Sequence, residues 1–167
     1  MKERGFSLIE IVVVLVLLSL CIALVAPSLY RFSSSVELKA AAKKVAAILR
    51  YTRSEAINKG KVYQVIFDSN LMEVKVQPVE TDQEESDKQE AEKKEAKNTP
   101  KTYTLPAGVQ MKELNIESTQ YPTDLPAFEF YPNGGSNGGD ILLDSRSQKG
   151  FKIKVHFLTG NVVIEKA

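Results

Sequence analysis

MKERGFSLIEIVVVLVLLSLCIALVAP, residues 1–27, is the stretch whose reading decides the fold. A short charged leader ends at Gly5, an aromatic residue follows at Phe6, and one carboxylate, Glu10, stands at the mouth of an apolar run. A helix over residues 6–30 would be on the order of 35 Å long, enough to cross a hydrocarbon core of about 30 Å. Lys2 and Arg4 precede the run, so the expected topology is single-pass, with the N-terminus cytoplasmic and the C-terminal body outside. A charged group inside such a segment costs roughly 2.5–3.5 kcal/mol and usually marks function. Glu10 is therefore the first candidate functional residue.

Other fates for the run fit poorly. A secretory signal needs small residues before its cut, and a cut after Ala26 would meet Leu24 and Pro27. A lipoprotein signal needs a small residue before the cysteine, where Leu20 precedes Cys21. Cys21 is the only cysteine, so no internal disulfide staples the chain. It reads as a small apolar side chain facing lipid or a neighbouring helix.

Beyond the run, Pro27 is a place for a kink, and a 3.6-residue pattern takes over at residues 36–59. Leu38, Ala41, Val45, Ile48, Thr52 and Ala56 form one stripe, expected to pack on the body's own sheet, while Lys39, Lys43, Arg50 and Arg53 fall largely elsewhere. Gly60 sits where a left-handed C-cap belongs. The period then changes to two. Residues 62–68 and 71–79 predict a hairpin across Ser69 and Asn70, with short strands at 103–105, 109–116, 128–131 and 140–143. Phe151, Ile153, Val155 and Phe157 alternate with Lys152, Lys154 and His156, before a turn at Gly160 and a last strand at 162–164. The expected fold is α+β, a long N-terminal helix packed on an antiparallel β-sheet body. Its units are a leader (1–5), a transmembrane or filament-core helix (6–30), an amphipathic helix (31–60) and a β-rich body (61–167). Residues 80–101 carry eight acids, five lysines and no aromatic residue, a composition that reads as a solvated variable loop.

The remaining chemistry is sparse. A formal net charge of +1 gives no electrostatic case for nucleic acid. The 133–140 stretch, NGGSNGGD, lacks the Lys-Ser/Thr pair of a phosphate loop and the close carboxylates of a calcium loop, since only Asp140 and Asp144 are near. It reads as a turn. His156, the only histidine, makes no dyad or metal cage by itself. No catalytic residue, metal or cofactor is expected, and the chain does not read as an enzyme.

The junction Arg4-Gly5-Phe6-Ser7-Leu8-Ile9-Glu10 resembles the class III signal of type IV pilins and type II secretion pseudopilins. Arg53-Ser54-Glu55-Ala56-Ile57 with Gly60, the strand Val65-Ile66-Phe67-Asp68, the segment from Phe130 through Ser136, and the hairpin around Gly160 are similar to the GspH/FimT group of minor members. The resemblance implies that prepilin peptidase cuts after Gly5 and methylates the new amine of Phe6. It also implies that Glu10 sets axial register by pairing with that amine. The implied partners are the peptidase, other major and minor pseudopilins, an inner-membrane assembly platform, and membrane lipid before assembly. The implied role is a minor pseudopilin of a type II secretion system, in the inner membrane and then the periplasmic pseudopilus, near its tip. A minor pilin of a type IV pilus or DNA-uptake machine is the alternative, and a signal-anchored extracytoplasmic binding protein is a further one.

Overall fold

The computed structural model describes residues 8–79, 100–145 and 148–167; the side chains of residues 24–33, 148 and 149 are not described. One helix, α1 (Leu8–Lys59), runs unbroken through position 27 for 52 residues, about 78 Å at ~1.5 Å per residue. It stops where the sequence places its cap, with Gly60 left-handed at φ +65°. Glu55 and Lys59 pair one turn apart in the final stretch, the orientation that suits the helix dipole.

Among the described residues eight strands follow: β1 (Tyr63–Asp68), β2 (Glu73–Pro78), β3 (Lys101–Thr104), β4 (Gln110–Ile116), β5 (Ala127–Phe130), β6 (Gly139–Ser145), β7 (Gln148–Val155) and β8 (Val162–Lys166). They form two antiparallel four-stranded sheets, ordered β3-β2-β1-β5 and β4-β6-β7-β8. The α+β expectation therefore holds, and the β body is split in two.

Helix α1 closes both sheets. The predicted stripe of Leu38, Ala41, Val45, Ile48, Thr52 and Ala56 is buried, and Ala42, Ala46 and Leu49 widen it. Opposite it lie Val65, Phe67, Phe128 and Phe130 from the first sheet and Ile141, Leu143, Ile153 and Val155 from the second. Phe67 and Phe128 meet edge to face, ring centroids 5.9 Å apart. Polar ties flank the helix on both sides. Arg50 Nη2 donates to the Val162 carbonyl of β8 at 2.8 Å, and Lys44 Nζ donates to the Thr104 carbonyl of β3 at 3.2 Å.

Several boundaries differ from expectation, three of them for local reasons that the hydrogen bonds and register show. The first hairpin turns over four residues, because Asp68 Oδ1 accepts from the Asn70 and Leu71 N–H groups and β2 begins only at Glu73. Lys101, expected in the variable loop, is the first residue of β3, opposite Val76. Residues 80–99 of that loop lie outside the described residues; they join two antiparallel neighbours, β2 and β3. Phe157, expected as an inward residue, is 55% exposed. The strand ends at Val155 because His156 N–H bonds the Asn161 carbonyl and Gly160 N–H returns to His156, closing a turn.

Candidate functional site

The two ends of α1 differ in what covers them. From Leu38 onward the inward face is buried by the body, but residues 8–23 are exposed on every side. Leu8, Ile9, Leu15, Val16, Leu20 and Ile22 are each at least 60% exposed. A contiguous apolar surface of this size marks an interaction site with protein or lipid. Its polar interruptions are few. Ser19 Oγ is spent on the Val16 carbonyl at 2.8 Å, Cys21 is a free and exposed thiol, and Glu10 is exposed in the first turn of the helix. Among the described residues Glu10 has no ion-pair or hydrogen-bond partner in its own chain. Here its carboxylate gains roughly 0.3–1 kcal/mol from the helix dipole. Gly5 and Phe6 lie outside the described residues. Among those residues no helix is long and apolar enough to cross a membrane; the anchor expected over 6–30 extends beyond them.

The body that this helix carries is locked at the far end of α1. Arg53 Nε donates to the carbonyls of Gly134 at 3.0 Å and Thr159 at 2.8 Å, tying both far loops to the helix. Gly160 makes this approach possible, since a Cβ there would lie 2.5 Å from the Gly134 carbonyl oxygen and 3.0 Å from Arg53. The 133–140 stretch is a turn only as far as Gly138, since Gly139 and Asp140 already open β6. Asn133 Oδ1 accepts from Gly135 N–H at 2.9 Å, and Gly134 and Gly138 take φ of +83° and +75°. Asp140 and Asp144 are engaged by Lys152 and Lys112 at 3.0 and 3.2 Å. His156 is exposed in the turn after β7.

Two polar residues missed from sequence hold the sheets in place. Asn137, 3% exposed, replaces a ladder between the sheets. Its Oδ1 accepts from Glu129 N–H at 2.9 Å, and its Nδ2 donates to the carbonyls of Ala127 and Glu117 at 3.1 and 3.2 Å. Glu129 is fully buried on the outer face of the first sheet. Its Oε1 accepts from Tyr121 N–H at 2.9 Å and Gln64 Nε2 at 3.2 Å. Its Oε2 accepts from Gln120 N–H and the Tyr131 hydroxyl, both at 2.9 Å. Burial, and then the Glu129 carboxylate beside it, push the Tyr131 hydroxyl well above the usual tyrosine range. The glutamate in Ala127-Phe-Glu-Phe130 was the available signal, a carboxylate between aromatic residues.

Helix α1 is thus uncovered and apolar for its first part and clamped to two small sheets for its second. Residues 41–159 match the family model described as type II transport protein GspH, and residues 1–26 match the prokaryotic N-terminal methylation motif. The chain belongs to the GspH family. The type II secretion system protein H of Xanthomonas campestris pv. campestris is 28% identical over 159 residues, spanning 95% of this chain and 81% of that protein. The minor pseudopilin EpsH of Vibrio cholerae has a similar fold, with a TM-score of 0.54, 16% identity, and 78% of this chain and 97% of that one covered. The type IV minor pilin FimU of Pseudomonas aeruginosa is equally close in fold, with a TM-score of 0.54, 16% identity, and coverage of 80% and 92%. The GspH match covers the clamped body as far as the turn before β8, and the methylation motif covers Gly5, Phe6 and Glu10.

Proposed function

We propose that this chain is a minor pseudopilin of a type II secretion system: a structural subunit, acted on by prepilin peptidase and then assembled through α1. The observation that carries the reading is the pairing of an N-terminal methylation motif with a GspH body on one continuous helix. In the precursor the apolar segment sits in the inner membrane with the body on the periplasmic side. After cleavage at Gly5 the same surface is buried against other helices, with the assembly platform as the site of transfer. The fold is shared with FimU, a type IV minor pilin. The GspH family match and the protein H relative favour secretion.

Glu10 is the residue this reading loads most. It is a lone carboxylate on an otherwise uniform apolar surface, about one turn from the new Phe6 amine, with no partner of its own among the described residues. Glu10→Ala removes a charge from the anchor, so insertion and cleavage should continue. Crosslinking to other pseudopilins and secretion should both fall, and Glu10→Gln should behave like alanine, because charge rather than shape makes the pair. Full secretion in both variants would refute the role given to Glu10.

A further inference from the structure

An open cleft of about 520 Å³ lies between the two loops that Arg53 ties to the far end of α1. Tyr131 and Pro132 form one wall, Phe157 and Leu158 the other, and Gln120 and Asn133 add side-chain amides. No acid or base lines it, in a chain of which 26% is charged. Phe157 and Leu158 are 55% and 74% exposed, large apolar groups that the described body leaves uncovered. The walls are fixed from behind. Arg53 Nε bonds the carbonyls of Gly134 and Thr159, one on each loop, and Ser136 N–H crosses to the Phe157 carbonyl at 2.9 Å. Beneath the first wall, Oε2 of the buried Glu129 accepts from both Gln120 N–H and the Tyr131 hydroxyl, so one carboxylate sets an aromatic ring and an amide-bearing residue together. A site whose walls are ordered in advance loses little freedom when a ligand enters.

We propose that this cleft binds an uncharged glycan, with a pyranose ring stacked on Phe157 and its hydroxyls bonded to the Gln120 and Asn133 amides. The site stands independently of the pseudopilin reading. Three features of the lining select this chemistry. With no charge in the walls, an ionic ligand would lose its hydration and gain no counter-ion. Backbone groups of the walls are largely spent on one another: Tyr131 N–H on the Gly135 carbonyl, Gly134 N–H on the Tyr131 carbonyl, and Gly135 N–H on Asn133 Oδ1. The loops therefore offer an extended peptide no strand edge, and recognition falls to side chains. Those side chains are aromatic faces and planar amides. Asn133 is held by its Oδ1, which leaves the Nδ2 donors for a ligand; among the described residues they make no other bond. Gln120 is exposed, with only its backbone N–H engaged. A pyranose carries C–H bonds on one face, which suit the negative face of an aromatic ring, and hydroxyls around its edge, which pair with amides. A purely apolar ligand would leave both amides covered and unpaired.

The test uses the full-length chain, purified in a zwitterionic detergent without a sugar headgroup, and titrated with chitohexaose, cellohexaose and a decaproline peptide. Saturation-transfer NMR and calorimetry should show at least one of the two glycans binding with a dissociation constant of about 0.1–1 mM, and the pair tells an acetamido sugar from a plain hexose. Phe157→Ala removes an exposed ring and should weaken that binding about five- to tenfold. Asn133→Asp keeps the oxygen that receives Gly135 N–H but loses the donors and adds a charge, and should weaken it about tenfold or more. Leu71→Ala, equally exposed but outside the cleft, should bind as the wild type does. Each variant is shown to be folded by circular dichroism before titration. Neither glycan binding the wild-type chain, binding unchanged in Phe157→Ala and Asn133→Asp, or decaproline binding in place of the glycans would each overturn the proposal. None of these results bears on cleavage at Gly5 or on assembly through α1, so the pseudopilin reading stands or falls separately.

Discussion

Replacing Glu129 by glutamine changes one oxygen into an amino group at a site where four donors converge. Oε1 receives Gln64 Nε2 and Tyr121 N–H, and Oε2 receives Gln120 N–H and the Tyr131 hydroxyl. The glutamine places its nitrogen on the Oε2 side, because the Tyr131 hydroxyl can turn and accept. Gln120 N–H cannot turn and is left facing another donor. An unmade bond at a buried donor costs about 1–3 kcal/mol, while removing a buried charge returns part of that. The expected net loss is about 1–2 kcal/mol. Glu129→Ala deprives all four donors, and the comparable figure for a broken buried network is about 3–5 kcal/mol. For a body of this size each kcal/mol lowers the melting temperature by about 3–4 °C, so glutamine should lose about 3–8 °C and alanine about 10–20 °C. Thermal and urea unfolding of the detergent-solubilised chain, followed by circular dichroism of the body, reads both. Wild-type stability in Glu129→Gln would show that the carboxylate does not organise this face.

Three further outcomes follow from the same geometry. The Tyr131 hydroxyl is shifted upward in the fold by burial and by Glu129, so the stability it contributes is complete below about pH 10 and falls as pH rises past that value; Tyr131→Phe should remove this alkaline loss, and parallel urea midpoints for the two proteins above that pH would contradict it. Gly160→Ala meets both a left-handed backbone and the Gly134 carbonyl at 2.5 Å and should cost about 2–4 kcal/mol, whereas Gly60→Ala, left-handed with open space around it, should cost only about 1 kcal/mol; equal losses would remove the packing argument. Asn137→Ala orphans Glu129 N–H and the Ala127 and Glu117 carbonyls, so it should destabilise the body by about 3 kcal/mol or more and raise hydrogen exchange at the Glu129 amide; unchanged exchange there would show that the seam has another support.

The helix was legible because periodicity and a terminal glycine are local signals: Leu38, Val45 and Ala56 share a face whatever they pack against. Alternation at Ile153 and Val155 likewise reveals strands, but it does not say which strand neighbours which. The division into two sheets depends on crossings at 105–109 and 131–138, where Asn137 stands in for a ladder, and among glycines that asparagine looks like an ordinary turn residue. Glu129 reads as an outward residue between Phe128 and Phe130. The structure buries it because the segment carrying Gln120 and Tyr121 lies across that face, a long-range contact without a sequence period. Arg50 and Arg53 lie off the apolar stripe, as their charge requires, yet both reach carbonyls at the flank of the helix. Glu10, by contrast, was visible at once, since a carboxylate in an apolar run needs no fold to stand out.

The account rests on maturation at the Gly5–Phe6 junction. Intact-mass and N-terminal peptide analysis of the chain from cells with an active prepilin peptidase tests it most directly. The account predicts a mature protein that begins at Phe6 with one methyl group on its α-amine, and a full-length, unmethylated precursor when Gly5→Val blocks the cut with a branched side chain. A wild-type chain that keeps Met1 through Gly5, or is cut elsewhere, would contradict it.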